Sequence, residues 1–223
     1  MINDKTFLGV ILARGGSKRV PRKNILLLGG KPLIGWTIDA GLKSKYLDKL
    51  IVSSDDNEIL SYSKKNGADI QSRPRKFSMD ETSSYESIEY VLKMVDSEYD
   101  FVVLLQPTSP FRNEKHIDES IELVASKNAD GAISVCRFEH DRSTINKLPK
   151  DNDMSDFYKK CDKNSNYFRI NGALYICNVQ TLLKEQTFFL KKNLFAYEME
   201  QKESIDIDTH LDFKIANFLA KVK

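Results

Sequence analysis

Short β-branched and aliphatic runs alternate with amphipathic stretches along most of this chain, and that alternation leaves few folds open. Residues 7–13, 49–54, 101–106 and 131–136 read as buried strands. Residues 33–44, 57–66, 83–95, 114–126 and 209–220 carry the spacing of helices. Strands separated by helices predict a largely parallel sheet, because each crossover helix returns the chain to the same end of the sheet. Asp56 and Asn113 stand where helix N-caps belong, and Asn66-Gly67 supplies a left-handed helix stop. The expected architecture is a three-layer α/β/α domain, Rossmann-like, with a mainly parallel sheet. A length of 223 residues fits one such domain. Residues 138–166 break the rhythm: the stretch is polar, contains Leu148-Pro149 and lacks a long apolar run.

The first expected strand runs directly into Ala13-Arg14-Gly15-Gly16-Ser17-Lys18-Arg19-Val20-Pro21-Arg22-Lys23-Asn24. Adjacent glycines let the backbone approach a ligand closely, and five cations in twelve residues supply charge for something strongly anionic. A nucleoside triphosphate is the obvious candidate. Neither a Walker A loop nor a Gly-x-Gly-x-x-Gly dinucleotide fingerprint is present. The net charge is only +2, so attraction for phosphate must come from this local cluster. A solvated basic loop is the competing reading. The composition shows no membrane span and no signal-peptide core, which leads us to expect a cytoplasmic protein without membrane or nucleic-acid partners. Cys136, Cys161 and Cys177 show no Cys-x-x-Cys spacing, and His116, His140 and His210 show no ligand spacing.

Three further segments carry chemistry. Leu104-Leu105-Gln106-Pro107-Thr108-Ser109-Pro110-Phe111-Arg112 leaves a buried strand at its C-terminal end, where ligands of open α/β sheets collect. Gln106 there can donate and accept at once, while Arg112 could be a helix-flanking surface charge. Phe168-Arg169-Ile170-Asn171-Gly172-Ala173-Leu174-Tyr175 groups a cation, an amide and a phenol, and arginine suits a carboxylate. In Ser204-Ile205-Asp206-Ile207-Asp208-Thr209 a period of two sends both carboxylates to one face. Two such carboxylates can share Mg²⁺. Alternatively Asp208 caps the helix from Thr209, with Asp212 on that helix's surface.

Arg14-Gly-Gly-Ser-Lys with Pro21-x-Lys-Asn, the Gln106 and Arg169 segments and the Asp206 segment, in that order, resemble the acylneuraminate cytidylyltransferases. These are the CMP-sialic acid synthetases, together with relatives that activate legionaminic or pseudaminic acid. The resemblance implies transfer of CMP from CTP to the anomeric hydroxyl of a nine-carbon α-keto acid sugar, with release of pyrophosphate. It implies a nucleotide-diphospho-sugar transferase-like fold, Mg²⁺ on Asp206 and Asp208, and a homodimer whose small dimerisation lobe is formed by about residues 138–166. Arg14 and Lys23 would hold the triphosphate, with Gly15, Gly16 and Ser17 helping to cradle it and Asn24 beside the nucleoside. Arg73 would contact the base, with Thr82 and Ser84 nearby. Gln106, Arg169, Asn171 and Tyr175 would contact the sugar, and Phe188 and Phe189 would wall its N-acyl group; core or interface packing is the other reading of that aromatic pair. Some sialic acid enzymes carry an additional arginine before the position of Arg169, where this chain has Lys159 and Lys160. Legionaminic acid therefore stands beside N-acetylneuraminic acid as substrate, with pseudaminic acid and 3-deoxy-octulosonate as further options. A non-catalytic nucleotide-binding regulator on the same fold is the rival from another class.

Overall fold

Alternate residues of the central strands face opposite layers. In β1 (Phe7–Leu12), Phe7 and Ile11 join a core under one set of helices while Leu8 and Val10 join a second core under another. This is how a strand with both faces buried yields an unbroken apolar run. The computed structural model describes residues 2–139 and 167–222. The lobe expected at 138–166 lies almost wholly outside the described residues, as do His140, Lys159, Lys160 and Cys161.

After β1 come a small hairpin, β2 (Leu27–Leu28) and β3 (Lys31–Pro32), then α1 (Leu33–Lys43), β4 (Lys49–Ser54), α2 (Asn57–Lys65) and β5 (Asp69–Ser72). The chain continues through α3 (Ser84–Met94), β6 (Phe101–Leu105), α4 (Glu114–Lys127), β7 (Gly131–Arg137), β8 (Phe168–Asn178), α5 (Val179–Glu185), β9 (Leu194–Met199) and α6 (His210–Val222). Seven strands form one sheet in the order β5-β4-β1-β6-β8-β7-β9. Only β8 runs against its neighbours, pairing antiparallel with both β6 and β7. Helices α1, α2 and α4 pack on one face, and α3 and α5 on the other. The three-layer, mainly parallel architecture expected from the alternation is the one observed.

The caps follow the sequence reading. Asp56 accepts from the N–H groups of Glu58 and Ile59, and Asn113 forms a capping box with His116. Gly67, just past α2, has φ +90°, which a side chain would resist. At α6 the reading needs correction. Thr209 is the cap: its hydroxyl accepts from the Asp212 N–H at 3.2 Å, and Asp212 Oδ2 accepts from the Thr209 N–H at 2.7 Å. Asp212 therefore closes the first turn and is no mere surface charge, and Asp208 is left free of capping.

The chain steps from β1 to β4 and β5 on one side, then crosses back to β6 on the other. β1 and β6 are thus parallel neighbours whose following connections diverge, and a crevice opens beyond their C-terminal ends.

Candidate functional site

That crevice is a cleft of about 600 Å³. Its lining includes Arg14, Ser17, Lys18, Lys23 and Asn24 from the loop after β1, Arg73 and Thr82 from the chain between β5 and α3, and Ser84 at the start of α3. Gln106 and Thr108 enter from the loop after β6, and Asp206 and Asp208 from the segment before α6. Segments far apart in sequence converge because their strands end at the same edge of the sheet.

Counter-charges organise the basic loop. Arg14 Nη1 donates to Asp80 Oδ1 at 2.5 Å, and Lys18 pairs with the other oxygen of Asp80. Arg22 sits at φ +57° and is paired with Asp56 and Glu58, which fixes the loop's far end rather than facing the cleft. The Gly15 N–H donates to Asp55 Oδ1 at 3.0 Å. A Cβ at Gly15 would come within 2.6 Å of the Asp56 carboxylate, so only glycine lets the loop pass there. Gly16 has open space around it. Neither glycine lines the cleft directly; their neighbours Arg14 and Ser17 do.

Lys23 spans the cleft floor. Its Nζ donates to the Ile207 carbonyl at 2.5 Å and stands 3.6 Å from Asp208. Burial pushes the Lys23 ammonium below its usual range, and Asp208 and Asp206 pull it back up. Residues 204–208 belong to no helix or strand. The alternation survives nonetheless: Ile205 and Ile207 pack against α6 and β2, while Asp206 and Asp208 face the cleft. Burial raises the Asp206 carboxyl above its usual range, the hydrogen bond from Thr108 opposes this, and nearby Asp208 adds to the rise.

Three buried polar atoms on the lining have no hydrogen-bond partner among the described residues: Asn24 Oδ1, Arg73 Nη1 and Asp206 Oδ1. Such atoms are rare in folded proteins and costly unless a ligand or water completes them. Arg73 is held by Ser78 Oγ on its Nε at 3.1 Å, leaving Nη1 free for the cleft. Asp206 Oδ1 beside Asp208 suits a hard cation that takes its other ligands from phosphate and water. Among the described residues no group of three His, Cys, Asp or Glu gathers, so the protein would contribute few ligands.

A smaller hollow of about 190 Å³ opens beside the cleft and shares Ser83, Ser84, Leu104 and Gln106 with it. Tyr175, Phe188 and Phe189 line it together with Tyr85, Gln186 and Thr187, and the ring centroids of the two phenylalanines lie 5.8 and 6.2 Å from that of Tyr175. Phe188 is 5% exposed and Phe189 57%, so only the first serves the core. Sequence reasoning passed over Gly172. At φ +78° a Cβ there would lie 3.0 Å from Gln106 Oε1 and 3.6 Å from Asp206 Oδ2, so the missing side chain keeps these two groups together.

Two motif residues are placed otherwise than expected. Asn171 is 1% exposed and its amide is consumed internally: Nδ2 donates to Ser204 Oγ at 2.9 Å, and Oδ1 accepts from Ser134 Oγ at 2.6 Å. It supports the acidic segment from behind and lines neither hollow. Arg169 Nη2 likewise donates to the Ser204 carbonyl at 3.1 Å, although its charge acts on Asp206. Arg112, weighed as a surface charge, is 1% exposed, and burial pushes its guanidinium down to about 9.

Comparison with known proteins gives a consistent family. Residues 8–221 match the family model described as cytidylyltransferase. The N-acylneuraminate cytidylyltransferase of Escherichia coli O18:K1:H7 is 36% identical over 214 residues, covering 94% of this chain and 51% of that protein. The chain thus spans about half the length of this and similar curated relatives. The CMP-N,N'-diacetyllegionaminic acid synthase of Legionella pneumophila is 31% identical over 227 residues, covering 96% of both chains. Among solved structures, CMP:2-keto-3-deoxy-manno-octonic acid synthetase complexed with CTP matches with a TM-score of 0.74 at 18% identity, covering 98% of this chain and 100% of that one. At that identity the likeness concerns the fold.

Proposed function

The chain belongs to the cytidylyltransferase family, and on that premise we propose that it transfers CMP from CTP to the anomeric hydroxyl of a nonulosonic acid, releasing pyrophosphate. The observation that carries this reading is the set of unpartnered buried atoms at the cleft. Arg73 Nη1 is a directional donor for an acceptor edge of cytosine, Asn24 Oδ1 an acceptor for the nucleoside, and Asp206 Oδ1 a ligand for a cation. Arg14, Lys18 and Lys23 supply positive charge where a triphosphate would lie, with Ser17, Thr82 and Ser84 as polar neighbours. The curated names of the relatives, acylneuraminate, legionaminic and pseudaminic acid enzymes, support a sugar acid as acceptor.

In the proposed reaction the sugar's 2-hydroxyl gives up its proton to water and attacks the α-phosphorus, and the new P–O bond forms as the bond to pyrophosphate breaks in line with it. Arg14 and Lys23 stabilise charge that grows on the phosphates during transfer. Asp206 and Asp208 would hold Mg²⁺, which supplies further neutralisation of phosphate charge when bound. Gln106 orients a sugar hydroxyl or acylamino group, and Tyr175, Phe188 and Phe189 exclude water around it. Arg169 reaches a sugar carboxylate only by leaving the Ser204 carbonyl. We further propose that the protein acts as a homodimer in the cytoplasm. The decisive experiment measures pyrophosphate release from CTP with N-acetylneuraminic, legionaminic, pseudaminic and 3-deoxy-octulosonic acids. Release with one of the nine-carbon acids supports the reading. Silence with all of them, despite measurable CTP binding, overturns it in favour of a non-catalytic nucleotide-binding protein.

A further inference from the structure

The acidic segment 204–208 has no strand to hold it, yet Asp206 must keep a fixed place beside Gln106 and Gly172. Several hydrogen bonds anchor it to the cleft walls, among them Ile207 N–H to the Thr108 carbonyl at 2.9 Å. One anchor comes from a residue outside the cleft. His116, in the first turn of α4 and 7% exposed, has Nε2 3.0 Å from Glu203 Oε2. Its Nδ1 accepts from the Asn113 N–H at 3.0 Å, so the ring proton must sit on Nε2 and is donated to Glu203. Asn113 directly follows the loop 106–112 that carries Gln106 and Thr108, and Glu203 directly precedes Ser204. One neutral imidazole thereby joins the two stretches of chain that form the acidic side of the cleft.

We propose that His116 and Glu203 are positioning residues that clasp segment 204–208 to loop 106–112 and so fix Asp206 for a divalent cation. This rests on the reading that Asp206 and Asp208 hold the metal. Neither residue touches Asp206 or Asp208, so the clasp acts through the backbone of segment 204–208. Direct orienting partners of metal ligands are worth about 10–100-fold in affinity, and the clasp belongs at the lower end of that range.

The test uses Mn²⁺ alone with the full chain, counting free ion by electron paramagnetic resonance, beside the Mg²⁺ requirement and the KM for CTP. Glu203→Ala and His116→Ala should each weaken Mn²⁺ binding roughly tenfold and raise the Mg²⁺ requirement in step, with the KM for CTP at saturating Mg²⁺ little changed. Glu203→Gln keeps an oxygen that accepts from Nε2 and should stay within about twofold of the parent. The double variant should be no weaker than His116→Ala alone, since that change already removes the contact that Glu203→Ala removes, together with the capping bond to Asn113. Should His116→Ala fail to fold, the Glu203 pair alone decides the matter. Unchanged Mn²⁺ affinity in Glu203→Ala overturns the proposal, as does Glu203→Gln behaving like Glu203→Ala. Asp206→Asn is the control for the underlying reading: if it too leaves Mn²⁺ affinity unchanged, the metal site itself fails, a result distinct from failure of the clasp.

Discussion

At the scale of single residues, the cleft separates groups that wait for a ligand from groups already employed. Arg73 belongs to the first kind. Burial holds its guanidinium below the usual range, the charge of Asp55 opposes this, and Nη1 has no acceptor among the described residues. Arg73→Ala should weaken CTP binding by roughly 1–3 kcal/mol, read by calorimetry, and an unchanged affinity would remove it from base recognition. Under the proposed reaction, Arg14→Ala and Lys23→Ala should act on turnover, by roughly 10²–10³-fold each, because the charge they would meet develops during transfer. Near-normal turnover in both variants would reduce the loop to a solvated basic patch. The capping correction sharpens the metal test as well. Thr209→Ala should cost about 0.5–2 kcal/mol of stability with activity largely kept. Asp206→Asn should abolish Mg²⁺-dependent turnover while the melting temperature barely moves. The reverse ranking in thermal melts and Mg²⁺ titrations would mean that the acidic segment is structural.

At the scale of elements, α4 illustrates how one helix start can carry a pH dependence. Burial pushes the His116 imidazole below its ordinary value of 6.5, Glu203 pulls it up, and Arg112 adds to the lowering. Because Nδ1 already accepts from Asn113, protonation would break the capping box. The unfolded chain takes up that proton near its ordinary value, whereas the folded chain resists. The contribution to stability is therefore complete above that value and lost as the pH falls through the lower folded pKa. Melts between about pH 8 and about pH 5 should show this slope, and His116→Gln should flatten it; an identical slope in the variant would exclude His116 as its source. Elements of this kind were legible in the sequence where local chemistry decides them. Asp56, Asn113 and Gly67 signal their ends through capping and φ, and the β1, β4 and β6 runs signal burial. The short polar edge strand β5 left no such mark, because its pairing with β4 depends on a neighbour rather than on its own side chains. For β8 the sequence offered a binding motif. Nothing in it told that the strand runs antiparallel between β6 and β7, or that Asn171 turns its amide inward to Ser134 and Ser204. The convergence of the cleft residues was readable from the ends of strands, and the Thr209–Asp212 cap was written locally as Thr-x-x-Asp although the reading placed the cap at Asp208. The burial of Arg112 depends on packing that no local pattern records.

At the scale of the whole molecule, a nearly neutral chain concentrates cations at one cleft and meets them with its own carboxylates. Asp80, from the chain between β5 and α3, reaches Arg14 and Lys18 of the loop after β1, while Asp55 holds the Gly15 N–H. These oxygens occupy donors that a triphosphate would use. Lys18 holds its proton above the usual range because of the Asp80 hydrogen bond, and Asp80 sits below the usual carboxylate range because of Lys18 and Arg14. Lys18 is exposed and the Asp80 side chain is 34% exposed, so water screens their contact enough for it to be exchanged for phosphate. Asp80→Asn should then tighten CTP binding a few-fold, since the nucleotide no longer competes with an internal carboxylate. The gain should be largest at low salt, where charges across an open cleft are least screened. Calorimetric titrations of parent and variant at low and high ionic strength measure both effects. Weaker CTP binding in Asp80→Asn would mean that this carboxylate holds Arg14 and Lys18 in position for the nucleotide and does not stand in its place.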